Sequence, residues 1–151
     1  MPRPFVITVD GPVASGKTTA GRELASRLGH RFLDTGVMYR AATWLALHRG
    51  IEINDLKALA NVAASAVISL VDGSNDTIII DGHELSAELR QPDIDRSVSL
   101  IAKVPEVRLA MVKQQRLIVN SGNFVVVGRD IGTVVLPFAD LKLYLIASTY
   151  E

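Results

Sequence analysis

The 151-residue sequence has no cysteine, which excludes disulfides and thiolate metal sites. It has only three histidines, His30, His48 and His83. No metal-type spacing links them, so they are expected to be surface or packing residues. It lacks an excess of charge of either sign, since 16 Lys and Arg balance 16 Asp and Glu. A dedicated nucleic-acid binder carries a basic excess, so no polymeric nucleic-acid partner is expected. Long apolar runs are also missing. None reaches the roughly 20 residues that a membrane helix needs. Residues 1–4, Met-Pro-Arg-Pro, lead into a short apolar run broken by Asp10. That predicts no secretory signal peptide and a cytoplasmic location. What is abundant is apolar: hydrophobic residues make up 48%, enough for the core of one domain over residues 1–151.

Residues 5–9, Phe-Val-Ile-Thr-Val, are short, apolar and β-branched, as in a parallel strand buried on both faces. Residues 17–28 predict a helix, with Ala20, Leu24 and Leu28 on one side and Gly29 as its stop. Residues 31–33 predict a second strand, 34–36 its turn, and 37–49 a second helix ended by Gly50. This alternation is that of an α/β fold. The middle departs from it. Residues 56–64 predict a helix, and residues 66–71 and 77–80 flank a turn-rich Asp-Gly-Ser-Asn-Asp run, which predicts a hairpin. Pro92 and Pro105 stand where helices can begin, because a first helical turn needs no N–H there. The helix from Pro105 is expected to run to Val119. Residues 124–127 and 141–146 predict two further strands. The hairpin region, about residues 54–103, therefore reads as an insertion between two βα layers.

Gly11-Pro12-Val13-Ala14-Ser15-Gly16-Lys17-Thr18 fits the pattern G-x-x-x-x-G-K-[ST] at every position. The chemistry explains the spacing. Successive main-chain N–H groups must wrap phosphate oxygens, and glycines let the chain bend without a Cβ clash. The helix that follows offers unpaired N–H groups and the positive end of its dipole. Lys17 supplies charge to the outer phosphates and Thr18 a hydroxyl to Mg²⁺. With Thr19, these residues form the expected ATP site. A chance glycine-rich turn would not be expected to sit between a buried strand and a helix.

A phosphate loop alone does not separate kinases from GTPases or ATPase motors. Arg129-Asp130 follows one predicted strand, and Thr35 and Arg40 follow another. In an open α/β sheet ligands bind beyond the carboxyl ends of the strands. Arg40 and Arg129 can therefore grip a second phosphate through guanidinium forks. Asp130 and Thr35 could hydrogen-bond a sugar or base.

Four segments resemble the cytidylate kinase family in order and spacing. They are Val9-Asp-Gly-Pro-Val-Ala-Ser-Gly-Lys-Thr-Thr19, Leu33-Asp-Thr-Gly-Val-Met-Tyr-Arg40, Val104-Pro-Glu-Val-Arg108 and Gly128-Arg-Asp-Ile-Gly-Thr-Val-Val135. Asp81-Gly-His-Glu-Leu-Ser-Ala-Glu-Leu-Arg90 is similar to that family's nucleotide-binding insertion. The resemblance implies a three-layer α/β/α P-loop kinase fold with a parallel sheet and a small acceptor-binding insertion. It implies phosphoryl transfer from ATP to CMP or dCMP with Mg²⁺, by a monomer. It implies that Lys17, Arg129 and Asp130 serve catalysis, that Arg40 and Arg129 hold the acceptor phosphate, and that Ser99, Arg108 and Asp130 read the cytosine edge. Two departures accompany it. Val127 stands where the family usually has an aspartate, with Asp10 and Asp130 as nearby acids. The sequence also stops before that family's arginine-rich lid, edge strand and closing helix, which predicts nucleotide binding with poor turnover. Another small P-loop kinase, or a non-catalytic nucleotide-binding fragment, are the rival expectations.

Overall fold

The computed structural model describes residues 3–12, 14–74 and 77–146. In chain order the elements are β1 (Val6–Asp10), α1 (Lys17–Leu28), β2 (Arg31–Asp34), α2 (Thr35–His48), α3 (Leu56–Ser65), β3 (Ile68–Leu70), β4 (Ile78–Ile80), β5 (His83–Leu85), a 3-10 turn (Ala87–Arg90), α4 (Pro92–Ala102), α5 (Pro105–Val119), β6 (Phe124–Gly128), a π-turn (Ile131–Val135) and β7 (Leu141–Tyr144). The chain falls into two compact units, Met1–Thr35 with Gln115–Glu151, and Gly36–Gln114.

The first unit is built on a parallel sheet of order β2-β6-β1-β7. Every residue of β1 and β6 is buried, as expected of apolar, β-branched strands inside a parallel sheet. Ile7, Val9, Phe32, Val125 and Val127 form an apolar layer with Ala25 of α1. Each such side chain contributes about 1.5–3 kcal/mol when fully buried. The fold is α/β with a parallel central sheet, as the sequence predicts.

Two local features differ from expectation. Residues 34–36 do not form a turn: Asp34 closes β2 and Thr35 opens α2 directly. The buried Thr35 hydroxyl donates to the Val127 carbonyl at 3.0 Å, which anchors the start of the helix. Gly128 permits this close approach, since a Cβ there would lie 2.1 Å from Thr35 Oγ1. The second feature is the π-turn. The Val135 N–H reaches the Asp130 carbonyl at 3.2 Å and the Leu136 N–H reaches the Ile131 carbonyl at 2.7 Å. Arg116 Nε donates to the Val135 carbonyl at 2.9 Å and satisfies the turn's far end.

In the second unit β3, β4 and β5 form an antiparallel meander. The expected hairpin is β3 with β4. The third strand was not anticipated, although Asp81-Gly82 marks it: both residues have positive φ, 47° and 81°, as a two-residue hairpin turn requires. The Asp81 carboxylate accepts the Val67 N–H at 2.7 Å and pairs with Arg49 at 2.6 Å. Met38, Leu45, Leu59, Ile80, Ile94 and Ile101 are buried in this unit. Trp44 stacks on His48 with ring centroids 4.5 Å apart, and His83 lies 5.0 Å and 5.1 Å from the two rings. These two histidines are packing residues.

Asp140 aligns β7 with β1. Its carboxylate accepts the Val6 N–H at 2.8 Å and pairs with Arg3 at 2.5 Å, while its own N–H donates to the Val6 carbonyl at 2.8 Å. The Val6 hydrogen bond, and then Arg3, hold this carboxyl below its ordinary range. A carboxyl depressed by folding stabilises the protein above its unfolded pKa, and that stability is lost as pH falls through the folded value. Asp140→Asn is therefore expected to lower the melting temperature near pH 7 and to matter much less near about pH 2. Thermal melts at the two pH values check this; an equal loss at both would contradict it.

Candidate nucleotide-binding site

The site begins where β1 ends. After Gly11 the chain passes through a loop in which Ala14 and Gly16 both take left-handed backbone, φ 64° and 82°, on either side of Ser15. Such backbone is that of anion-binding concavities; here the Ser15 N–H itself donates to the Pro12 carbonyl at 3.2 Å. The α1 helix starts immediately afterwards, with no side chain capping it at Gly16, so its first N–H groups stay available to an anion. Ser15 Oγ is buried and has no hydrogen-bond partner among the described residues. A phosphate oxygen would satisfy it. Lys17 Nζ arches back to the Gly11 carbonyl at 2.7 Å. Thr18 is half-buried and Thr19 exposed in the first turn. Val13 lies outside the described residues.

Across the same strand ends lies the corner after β6. A cleft of about 430 Å³ is lined by Asp10, Gly11, Pro12, Arg129, Asp130, Thr133 and Tyr144. Arg129 and Asp130 are both exposed, and Asp130 has left-handed backbone with φ 54°. Asp10 is 9% exposed and accepts the Ile131 and Gly132 N–H groups at 2.8 Å and 2.9 Å. Val127 is fully buried in the apolar layer against α1. Its Cγ1 would lie 2.5 Å from a Cβ placed on Gly21, one turn after Thr18. Among the described residues no three His, Cys, Asp or Glu side chains converge on a metal position. With both Asp10 carboxylate oxygens holding main-chain N–H groups, the oxygens on offer are the Thr18 hydroxyl on the loop and the Asp130 carboxylate in the cleft. That donor set fits Mg²⁺, which keeps several waters and takes few protein oxygens beside phosphate oxygens.

The remaining expected site residues lie in the second unit. Arg40 donates to the Leu89 carbonyl at 3.0 Å and pairs with Asp95 at 2.6 Å. Ser99 is exposed on α4 and Arg108 exposed on α5. Burial pushes the Tyr39 phenol above its ordinary pKa, and the charge of Arg108 opposes this shift. Sequence reasoning missed Tyr39, Asp95, Thr133 and Tyr144, and did not foresee the Asp10 fork. Tyr144 had a usable signal in its position at a strand's carboxyl end, and Tyr39 in its place beside Arg40. Thr133 had none, because the π-turn has no sequence signature.

A glycine-rich turn that aims main-chain N–H groups past the end of the first parallel strand places the chain among P-loop nucleotide-binding α/β proteins. The match extends beyond that class. The cytidylate kinase family model covers residues 7–151, and the chain belongs to that family. It is 46% identical to the cytidylate kinase of Roseiflexus castenholzii over 157 positions, spanning 100% of this chain and 68% of that protein. It is 46% identical to the cytidylate kinase of Chloroflexus aggregans, over 98% of this chain and 66% of that protein. A bifunctional pantoate ligase/cytidylate kinase of Synechococcus sp. is also 46% identical, over 99% of this chain and 28% of its own length. The chain thus spans about two thirds of the length of the first two.

Lys17 lies against the loop, its Nζ donating to the Gly11 carbonyl. Lys17→Ala is expected to weaken ATP binding by about 1.5–3 kcal/mol, the scale of a charged hydrogen bond. Calorimetric titration of the folded variant tests this, and unchanged affinity would contradict the site.

Proposed function

We propose that this protein binds ATP on the phosphate loop and transfers its γ-phosphoryl group to CMP or dCMP. One observation carries the reading: the root of the phosphate loop, at Gly11 and Pro12, and the Arg129–Asp130 corner line one cleft. A donor triphosphate and an acceptor anion can therefore lie side by side. An acceptor phosphate oxygen attacks the γ-phosphorus, and the bond to the bridging oxygen of ADP breaks. Little covalent help is needed, so positioning and charge supply the catalysis. Lys17 faces the outer phosphates of ATP, and Arg129 neutralises the acceptor phosphate. Mg²⁺, when bound beside Thr18, neutralises charge on the donor phosphates.

Roles for Arg40 at the acceptor phosphate, and for Ser99, Arg108 and Asp130 at the base, rest on the family to which their segments belong. The chemistry suits the choice. Cytosine presents an amine donor beside the N3 and O2 acceptors, so a carboxylate and a guanidinium complement it. Uracil would turn a carbonyl toward the carboxylate. Thr35, whose hydroxyl donates to the Val127 carbonyl, keeps its oxygen lone pairs to accept from the acceptor nucleotide, the role expected of it from its segment.

The test is titration with CMP, AMP and GMP, beside a coupled assay of ADP release. CMP is expected to bind at least about tenfold more tightly than AMP. Equal affinities would replace the cytidylate reading with that of a broader P-loop kinase. A second expectation concerns Val127. Val127→Asp buries a carboxylate in an apolar layer and should lower the melting temperature, because a buried unpaired charge is strongly unfavourable. If this strand end faces the metal, Mg²⁺ with ATP restores part of the loss and ATP with chelator does not. Equal recovery under both conditions would dissociate residue 127 from the metal.

A further inference from the structure

Asp10 carries no step in the transfer described above, yet it touches both sides of the cleft. It directly precedes Gly11, the first residue of the phosphate loop. Its Oδ1 accepts the Ile131 N–H at 2.8 Å, and its Oδ2 accepts the Gly132 N–H at 2.9 Å. Its carbonyl accepts the Leu145 N–H at 2.8 Å. Hydrogen bonds to a carboxylate are stronger than neutral ones, and two from adjacent amides fix direction as well as distance. The gripped amides open the π-turn immediately after Arg129 and Asp130. Asp130 is held in left-handed backbone, φ 54°, which a non-glycine residue keeps only when its surroundings impose it. The turn also lies flat on β1, since a Cβ on Gly132 would come 2.7 Å from Thr8 Oγ1. Without the fork, the turn's own hydrogen bonds from the Val134 and Val135 N–H groups to the Asp130 carbonyl are left to hold that strained backbone, and the corner loses its link through Asp10 to β1.

We infer that Asp10 is a positioning residue for the acceptor nucleotide, its carboxylate holding the Arg129–Asp130 corner in the geometry that receives the acceptor. This rests on the proposed reading of that corner as acceptor site. Asp10→Asn tests it, because asparagine keeps the shape and one acceptor oxygen but turns an NH₂ group toward a main-chain N–H. CMP and ATP are titrated separately into the whole chain, each with and without Mg²⁺. The expected result is a loss in CMP affinity of about tenfold or more, with ATP affinity in the absence of Mg²⁺ changed by less than about twofold. Equal losses for CMP and ATP would make Asp10 a support of the phosphate loop. A loss confined to ATP with Mg²⁺ would make it a metal-shell acid. Either outcome, or unchanged CMP affinity, overturns the inference. Amide hydrogen exchange supplies the second measurement. The Ile131 and Gly132 amides are expected to be protected in the wild type and to exchange faster in Asp10→Asn. Rapid exchange in the wild type would overturn the inference even if the variant failed to fold. Wild-type protein that binds ATP but no CMP would sink the acceptor reading instead, and the exchange rates would still decide whether Asp10 holds the corner.

Discussion

The pairing of β1 with β6 sets the geometry of the phosphate loop and the corner. Five consecutive residue pairs join these strands in parallel, from Val6 with Phe124 to Asp10 with Gly128. The phosphate loop leaves one strand and the arginine–aspartate corner leaves the other at the same level of the sheet. Parallel strands point both departures the same way, and the loops beyond them meet over one cleft. Register matters as much as pairing. Side chains alternate along a strand, so a slip of one residue would bring Asp10 into the apolar layer of Val9 and Val127 and expose valine to the cleft. Buried residues on both faces of β1 and β6 oppose such a slip.

Much of this was legible in the sequence because the signals were local. The eight residues from Gly11 to Thr18 state a backbone shape as well as a chemistry, and the structure places left-handed residues at Ala14 and Gly16. The helices over 17–28 and 105–119 were bounded by their glycine stop and proline start. What escaped depended on contacts distant in sequence. Nothing near residue 131 announces a π-turn, because its amides are held by an aspartate more than a hundred positions earlier. The continuous passage from β2 into α2 depends on a carbonyl of β6. The third strand of the meander was legible in principle, in Asp81-Gly82, but three residues of strand give a weak pattern.

Charge is used with similar economy. A chain with no net charge still places Lys17 on the loop and Arg129 in the cleft. The acids are set against main-chain amides or particular cations: Asp10 on a turn, Asp81 on Val67 and Arg49, Asp140 on Val6 and Arg3. Carboxylates fixed in this way act as structural fasteners. Arg40 belongs to the same pattern, since Asp95 and the Leu89 carbonyl hold its guanidinium in place. An anion seeking Arg40 must compete with a neighbouring carboxylate, which favours a ligand of higher charge than a single carboxylate.

The aromatic stack in the second unit gives the molecule an optical property of its own. Trp44 is the one tryptophan in the sequence, and it lies within Gly36–Gln114, stacked on an imidazole. Indole emission therefore comes from that unit alone, whereas far-ultraviolet circular dichroism sums the helices and strands of both. Loss of the stack changes the environment of the indole at the moment its unit opens. The two spectroscopies, recorded on one sample, make cooperativity countable: a single shared transition means that the units melt as one body, and two separate transitions mean that each keeps its own stability.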